Sequence, residues 1–537
     1  MNTVSLLLDG RPVEVPAGAS LLDAARSLGQ DIPTLCYLEK CGPMTSCLAC
    51  LVKVVHSGTG RLVPSCATEA AAGMVVESET PEVHAARRTA LELLLSDHVG
   101  DCLSPCHRIC PLQLNIPAMI RQVQTGALAE AIATVRQAVA LPLVTGRLCH
   151  APCENGCRRG TCDQPAAIRQ LERFVADTDW QRAERRLPTP VPASGHSVVI
   201  VGAGPAGLTA AFHLLGEGHR VTVLDRREAP GGTLRSEVDE DTLPPAVLDA
   251  EIETLRRRGA RFVAGIALGK EVTIEGLLRG FDAVLLTVGQ TSEQERRGFG
   301  LAATAWGVQV DADTYQTSQV RVFAAGSAVK PIPQVVRAMA EGKRAAACVH
   351  RFLQGESLPP PRKVFSSSMG RVTEEEARLF ARLASPAPRA TPAGGPGAGF
   401  SVAEATGEAA RCLHCDCRAA EDCRLRHYAQ RYGAEPGHYR TERRRFEQQL
   451  QPGGVVFEPG KCILCGICVK LTEQAREPLG LTFVGRGFEV RVGVPFHRPL
   501  EEGLQRVAAE CVAACPTGAL AWKSAPATSS PGSPCRS

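Results

Sequence analysis

A chain of 537 residues, 44% hydrophobic and 22% charged, has the balance of a globular protein long enough for several domains. A net charge of +4, spread along the chain, gives no footprint for nucleic acid. The longest apolar runs, such as Val198–Val201 and Ala283–Val288, have strand length and fall short of the ~20 residues that span a bilayer. The N-terminus passes from Met1-Asn2-Thr3 straight into an alternating pattern with no leader, so the expected compartment is the cytoplasm.

Residues 1–80 read as a small β-rich module: Val4, Leu6 and Leu8 alternate, Asp9-Gly10 is a hairpin turn, and Val13 and Val15 form the return strand. Ser20 then caps a helix from Leu21 to Leu28 that stops at Gly29. Residues 82–183 are helical, with Leu91, Leu94 and Leu95, then Ile116, Ile120 and Val123, at helical spacing. A proline-rich joint, Leu187 to Pro192, leads to residues 196–356, where strands and helices alternate as in a doubly wound sheet. Residues 357–450 combine a Pro, Gly and Ala-rich linker, Ser385 to Gly399, with a small cysteine motif. A further cysteine-bearing domain is expected over 451–523, followed by a disordered tail over 524–537.

The 23 cysteines fall into tight groups. With no secretory signal ahead of them and such short spacings, they read as iron ligands and not as disulfides. In the first group Cys36, Cys47, Cys50 and Cys66 are separated by ten, two and fifteen residues. Four thiolates on loops beside a sheet can hold two irons and two sulfides. Cys41 is spare, because Met44 stands where a plant-type spacing needs a cysteine. A structural zinc site is the competing reading. The stretch Pro33–Cys36 with Ser46–Val52 resembles the N-terminal [2Fe-2S] domain of the iron-sulfur subunits of NADH dehydrogenase and NAD-linked formate dehydrogenases, which implies a β-grasp ferredoxin fold.

Next, His98, Cys102, Cys106 and Cys110 recur with three residues between neighbours, Pro111 follows directly, and Cys149, Cys153, Cys157 and Cys162 form a second group. Through Cys110-Pro111-Leu112-Gln113 and the run Gly146–Cys157, residues 98–177 resemble the N-terminal domain of the glutamate synthase small subunit and of dihydropyrimidine dehydrogenase. The resemblance implies two [4Fe-4S] clusters with interleaved ligands: Cys102, Cys106 and Cys162 for one, and Cys110, Cys153, Cys157 and Glu172 for the other. The family's first cysteine has no counterpart, and His98, one residue from its place, becomes the candidate fourth ligand of the first cluster. Cys149 is left as a buried bystander.

Val198–Val201 is a buried strand that turns through Gly202-Ala203-Gly204-Pro205-Ala206-Gly207 into a helix. Such glycines let the backbone approach a pyrophosphate at the helix N-terminus. A second strand, Val221–Leu224, ends at Asp225, placed to accept from a ribose hydroxyl. With Pro230-Gly231-Gly232, Phe281–Leu286 and Val322–Gly326, this resembles the FAD-binding domain of glutamate synthase small-subunit flavoproteins. The resemblance implies FAD held by Gly202, Gly204, Pro205, Ala206, Gly207, Asp225, Gly232 and Gly326. Ser327 replaces the family's aspartate and carries no charge. Relatives insert a complete NAD(P)H-binding unit after the strand ending near Gly289. Here only about ten residues separate Gly289 from Gly300, against the ~30 of a βαβ unit.

Cys412, Cys415, Cys417 and Cys423 are compact enough for zinc or for a cluster. Cys462, Cys465 and Cys468, separated by two residues each, join Cys515, which precedes Pro516; a cysteine before proline ligates the partner run's cluster in two-cluster ferredoxins, so these four make a [4Fe-4S] site. Thr472 and the lone Cys511 mark a lost second site. With Val484–Gly487 this part resembles the ferredoxin portion of formate and NADH dehydrogenase iron-sulfur subunits. The expected architecture is therefore multidomain, α/β and α+β: a [2Fe-2S] ferredoxin domain, a helical iron-sulfur domain, a Rossmann-like FAD domain without the NAD(P)H insert, and a C-terminal ferredoxin-like domain.

The expected function is that of an oxidoreductase subunit relaying electrons between FAD, one [2Fe-2S] cluster, three [4Fe-4S] clusters and a partner. That partner would be a dehydrogenase- or hydrogenase-type subunit or a soluble carrier. The alternatives are a self-sufficient NAD(P)H-dependent oxidoreductase, or a non-catalytic iron-sulfur assembly or redox-sensing subunit. No general acid, base or nucleophile motif stands out, so no catalytic residue is expected.

Overall fold

In the computed structural model, which describes residues 2–56, 59–182, 187–189, 191–358, 364–395, 397–451 and 453–523, the chain leaves one folding unit after Ser104 and re-enters it twice. Unit 1 comprises Met1–Ser104, Val364–Phe380 and Cys415–Ser537, and unit 2 comprises Pro105–Lys363 and Ala381–His414. The tail expected over 524–537 lies outside the described residues.

The N-terminal part of unit 1 is a five-stranded sheet in the order Arg11–Pro16, Thr3–Leu8, Val75–Glu77, Leu51–His56, Thr59–Pro64. Thr3–Leu8 pairs antiparallel with Arg11–Pro16 and parallel with Val75–Glu77. Alternation works as expected: Leu6 and Leu8 are buried, and Leu7 between them is exposed. Asp9 and Gly10 both take positive φ, which matches the twist of a two-residue hairpin. Helix Leu21–Ser27 covers the sheet, its start fixed by a capping box between Ser20 and Asp23.

Helix Pro81–Ser96 carries Arg87, which is fully buried; its Nε donates to the Leu51 carbonyl at 2.9 Å and an Nη to the Tyr432 hydroxyl at 2.7 Å. The C-terminal part of unit 1 holds an antiparallel sheet, Gln449–Leu450, Val455–Phe457 and Leu520–Trp522, with helices Ile467–Gln474 and Ala508–Ala514.

Unit 2 begins with short helices and continues into a parallel sheet ordered Arg261–Val263, Arg220–Leu224, Ser197–Val201, Ala283–Leu286, Val322–Ala324. The strands are apolar and largely buried because helices cover the sheet. Helix Pro205–Gly216 packs on helix Val335–Leu353 so closely that a Cβ on Gly342 would lie 2.1 Å from the Ala206 carbonyl oxygen. Between Leu286 and Val322 the described residues form one short helix, Glu293–Gly298, and add no strand to the sheet.

Helix Val402–Ala409 also belongs to unit 2 and packs on helices Ile116–Gln124 and Ile168–Trp180. Its buried Glu408 accepts from the Ala167 and Ala390 amides and pairs with Arg411. Among the described residues no single helix is long and apolar enough to cross a membrane; one pair, Leu128–Ala138 and Pro142–Leu148, passes on length and composition but is bent by 84°.

Candidate iron-sulfur and nucleotide sites

Within unit 1 the first thiol group closes on itself. Cys36, Cys47, Cys50 and Cys66 are all buried, and the Cys50 and Cys66 sulfurs stand 3.3 Å apart. The Cys36 and Cys47 side chains hydrogen-bond each other, as do those of Cys50 and Cys66, and in each pair the bond from the neighbouring thiol lowers one pKa. The second thiol of each pair is pushed up correspondingly. Adjacent buried thiols of this kind are poised to give up protons to a cationic centre. Cys41 stands apart, half-buried, with its sulfur 3.5 Å from Gln474 Oε1.

Cys462, Cys465, Cys468 and Cys515 form a second group of unit 1. Burial pushes the Cys462 and Cys465 thiols up to about 11 and 12, and the charge of Cys515 adds to both. Cys36 is close enough to raise Cys465 as well. Thr472 is buried and accepts from the Leu481 amide while donating to the Val469 carbonyl, so its hydroxyl is fully used in packing. Cys511 is buried with its sulfur directed at the Cys468 carbonyl.

A third group of unit 1 crosses the sequence. Cys102 belongs to the same unit as Cys417 and Cys423, and the Cys417 amide reaches the Cys102 carbonyl at 3.5 Å. Burial lifts the Cys423 thiol to about 12, with Cys417, Cys102 and Cys515 contributing repulsion. A Cβ on Gly518 would come within 2.4 Å of the Cys417 sulfur, so that thiol enters a cradle only glycine leaves open. His98 lies in the same unit. Its ring Nδ1 is enclosed without a hydrogen-bond partner, and burial followed by the Lys461 charge holds the imidazole neutral, with a pKa near 4. An orphaned neutral imidazole nitrogen is a ready metal ligand.

Unit 2 holds a small cavity lined by Cys110, Cys149, Cys153 and Glu172. Burial pushes Cys149 up to about 12 and Glu172 up to about 7, while the Thr145 hydroxyl bonds the Glu172 carboxylate and opposes the rise. Cys149, expected to be a bystander, lines this cavity, and Cys157 does not. Ala151 explains the difference. Its left-handed φ of 50° turns the chain into helix Pro152–Asn155 and brings Cys149 and Cys153 to the same side.

Cys157 instead caps the next turn, Arg158–Thr161, and Cys162 is exposed beside it. Cys106, on helix Pro105–Ile109, and Cys162 lie in unit 2, whereas Cys102 lies in unit 1. The run Cys412–Cys423 is divided likewise, with Cys412 in unit 2 and Cys415, Cys417 and Cys423 in unit 1.

One local device recurs that the spacings alone do not reveal. The second residue after Cys149, Cys412 and Cys462 is Ala151, His414 and Leu464, each at positive φ, and each donates its amide to the cysteine sulfur at 3.4 to 3.5 Å. Left-handed non-glycine residues are uncommon, and an N–H aimed at sulfur stabilises a thiolate and tunes a bound cluster. The Cys412 loop thus shares its local geometry with the Cys149 and Cys462 loops. Among the described residues no three His, Cys, Asp or Glu side chains meet around a single ion. A four-iron cluster takes one ligand at each corner, so its ligands face a common space without meeting at one point.

The nucleotide turn of unit 2 is built from crowding. A Cβ on Gly202 would lie 2.3 Å from the Thr287 carbonyl oxygen and one on Gly207 would lie 1.9 Å from the Gly202 carbonyl oxygen, whereas one on Gly204 would meet nothing within 4 Å. Gly204 therefore faces open space at the N-terminus of helix Pro205–Gly216, where free amides favour a phosphate. A Cβ on Gly232 would lie 2.7 Å from the Gly204 Cα, so this second glycine loop closes over the first. Gly326, at positive φ, stands against the Ala206 methyl.

Asp225 accepts from the Ala203 amide at 2.6 Å through one oxygen and from the Arg227 amide at 2.8 Å through the other, which leaves one lone pair on each for a ribose. Ser327 accepts from the Ile332 amide at 3.3 Å. A cavity of about 400 Å³ lies between Pro111, the loop Lys330–Gln334 and the helix face carrying Arg337 and Arg344. Pro111 also lines the Cys110 cavity.

Comparison with known proteins agrees module by module. Residues 1–81 match a family described as a 2Fe-2S iron-sulfur cluster binding domain. Residues 96–184 match dihydropyrimidine dehydrogenase domain II, 4Fe-4S cluster, and residues 200–261 an NAD(P)-binding Rossmann-like domain. These are modules of iron-sulfur oxidoreductases. The NADP(+)-dependent formate dehydrogenase subunit beta of Moorella thermoacetica is 38% identical over 207 residues, 35% of this chain and 29% of that protein. The glutamate synthase [NADPH] small chain of Mycobacterium tuberculosis is 37% identical over 196 residues, 36% of this chain and 40% of its own length. The NAD-dependent dihydropyrimidine dehydrogenase subunit PreT of Escherichia coli is 35% identical over 206 residues, 37% of this chain and 50% of its own. The chain spans half or less of each of these relatives, and the hybrid make-up read from its motifs stands.

Proposed function

We propose that this chain is an iron-sulfur flavoprotein subunit that passes single electrons between FAD, its clusters and a redox partner. The observation that carries the reading is the continuity of thiol groups within unit 1: the charge of Cys36 reaches Cys465, and that of Cys515 reaches Cys423. Ligand groups that neighbour one another in series suit stepwise electron transfer. The assignment is [2Fe-2S] at Cys36, Cys47, Cys50 and Cys66, [4Fe-4S] at Cys462, Cys465, Cys468 and Cys515, and [4Fe-4S] at Cys102, Cys417 and Cys423 with His98 as fourth ligand. In unit 2 a [4Fe-4S] cluster takes Cys110, Cys149, Cys153 and Glu172.

FAD fits the Gly202–Gly207 turn, with Asp225 at its ribose. Bound there, flavin supplies the exchange between two-electron and one-electron chemistry, while the protein orients it and excludes solvent. Because the sheet of unit 2 carries no second dinucleotide unit among its described residues, reducing equivalents enter from a partner, and the similarity to subunits of formate dehydrogenase and glutamate synthase supports a place in a multi-subunit complex.

Anaerobic purification with iron, acid-labile sulfide and flavin quantitation tests this. One flavin with three or more clusters per chain is expected, and a colourless protein or one holding zinc overturns the reading. The match to an NAD(P)-binding Rossmann-like domain favours a second reading, in which the same glycine turn holds a nicotinamide nucleotide directly. Flavin-free protein that binds NAD(P)H would decide for it.

A further inference from the structure

We propose that Lys461, locked in a buried network with Glu458, Arg418 and Gln448, is a positioning residue that sets the reduction potential of the cluster at Cys102, Cys417 and Cys423. The inference rests on the ligand assignment given above for those three cysteines. All four network residues lie in unit 1. Lys461 and Glu458 are each less than 5% exposed, and the Lys461 ammonium is paired with a Glu458 carboxylate oxygen. The other oxygen accepts from Gln448 Nε2 at 2.8 Å and faces the Arg418 guanidinium at 3.4 Å. Two cations and one anion leave a net single positive charge enclosed by protein. Arg418 is the residue after Cys417, so the network is joined by one covalent step to a ligand of the cluster.

The course of the lysine side chain decides which cluster it serves. Although Lys461 precedes Cys462 in sequence, its stem runs past the His98–Gly100 turn, where a Cβ on Gly100 would come within 2.6 Å of the Lys461 Cε. Its backbone carbonyl, in contrast, accepts from the Thr517 hydroxyl at 2.9 Å on the ferredoxin side. The lysine stem therefore runs beside the His98–Cys102 segment while its main chain belongs to the Cys462 loop. Net charge is a principal determinant of iron-sulfur potentials, and a charge kept from water acts with little screening. An enclosed positive charge beside the thiolates stabilises the reduced cluster over the oxidised one.

The test is an EPR-monitored redox titration of the full chain, reconstituted anaerobically, as wild type and as Cys417→Ser, Cys465→Ser, Lys461→Gln, Lys461→Arg and Glu458→Gln. The signal removed by Cys417→Ser identifies the cluster. In Lys461→Gln that signal should need a lower potential, its ratio of reduced to oxidised cluster at fixed potential falling at least about tenfold, or ~59 mV for one electron. Lys461→Arg should restore it, and Glu458→Gln should move it to higher potential. The proposal is overturned if the signal stays in place in both neutral variants, or if the signal that moves is the one removed by Cys465→Ser. Should Lys461→Gln fail to hold the cluster, an unmoved signal in Glu458→Gln overturns the proposal and the opposite shift supports it. If Cys417→Ser removes no signal, the ligand assignment itself fails, and the proposal with it.

Discussion

The carbonyl oxygen of Gly202 stands where any side chain on Gly207 would have to pass, with only 1.9 Å between that oxygen and a Cβ. Helix and strand meet there through bare backbone. Gly207→Ala should therefore destabilise the chain by about 3 kcal/mol, the range of an overpacked core, and should lose flavin as a consequence. Gly204→Ala is the informative counterpart. Its φ of −81° suits any residue and its Cβ would meet no protein atom, so the urea midpoint should hold while flavin affinity falls about tenfold or more as the methyl meets the pyrophosphate.

Cys149 lines the cavity in unit 2 and Cys157 does not, and the proposed assignment takes Cys149 as the ligand. Cys149→Ser should lose the same EPR signal as Cys110→Ser, with about four fewer irons per chain. Cys157→Ser should leave that signal in place. Loss of the Cys110 signal in Cys157→Ser, with retention in Cys149→Ser, would restore the ligand set expected from the sequence.

Within the N-terminal sheet domain, Cys50→Ser should abolish the [2Fe-2S] visible absorption and Cys41→Ser should leave it unchanged. Cys50 is buried against Cys66, whereas Cys41 sits half-buried against Gln474. Equal bleaching by both substitutions would contradict this placement.

His219 gives unit 2 an acid-sensitive point. It is buried, its Nδ1 lies 2.7 Å from the Ser194 hydroxyl and its Nε2 2.9 Å from His350 Nδ1. Burial, then the neighbouring His350 and His196, depress its pKa to about 4. Below the ordinary histidine value of ~6.5 the unfolded chain takes up the proton and the folded one does not, so stability present above pH 6.5 is lost as pH falls towards 4. Between pH 7.5 and 5.5 the loss should be about 1 kcal/mol, visible as a lower thermal midpoint, and His219→Gln should remove most of that pH dependence.

Much of this architecture was legible in the residues because its signals are local. The alternation Val4, Leu6, Leu8 with Asp9-Gly10, the Ser20 cap and the crowded glycine turn each act over a few positions, and each appears where expected. The cysteines were harder. The family resemblance implied grouping Cys102 with Cys106 and Cys162; the unit boundary falls between Ser104 and Pro105, and Cys102 shares its unit with Cys417 and Cys423. Nothing in a linear count reveals a partner that lies beyond an entire inserted unit. The place of Cys149 at the cavity was hidden for a different reason. It depends on the left-handed turn at Ala151, a conformation that residue seldom adopts and that propensity would not assign.

The interruption of unit 1 also dictates an order of manufacture. As the polypeptide emerges from the ribosome, His98 and Cys102 appear long before Cys417 and Cys423, with all of unit 2 synthesised between the two main stretches. Chains with such interrupted units depend on the last stretch to complete the first. On the proposed ligand assignment, a cluster held by Cys102, Cys417 and Cys423 could be completed only after the last stretch has been made, and a chain ending before Cys417 would lack two of its thiols.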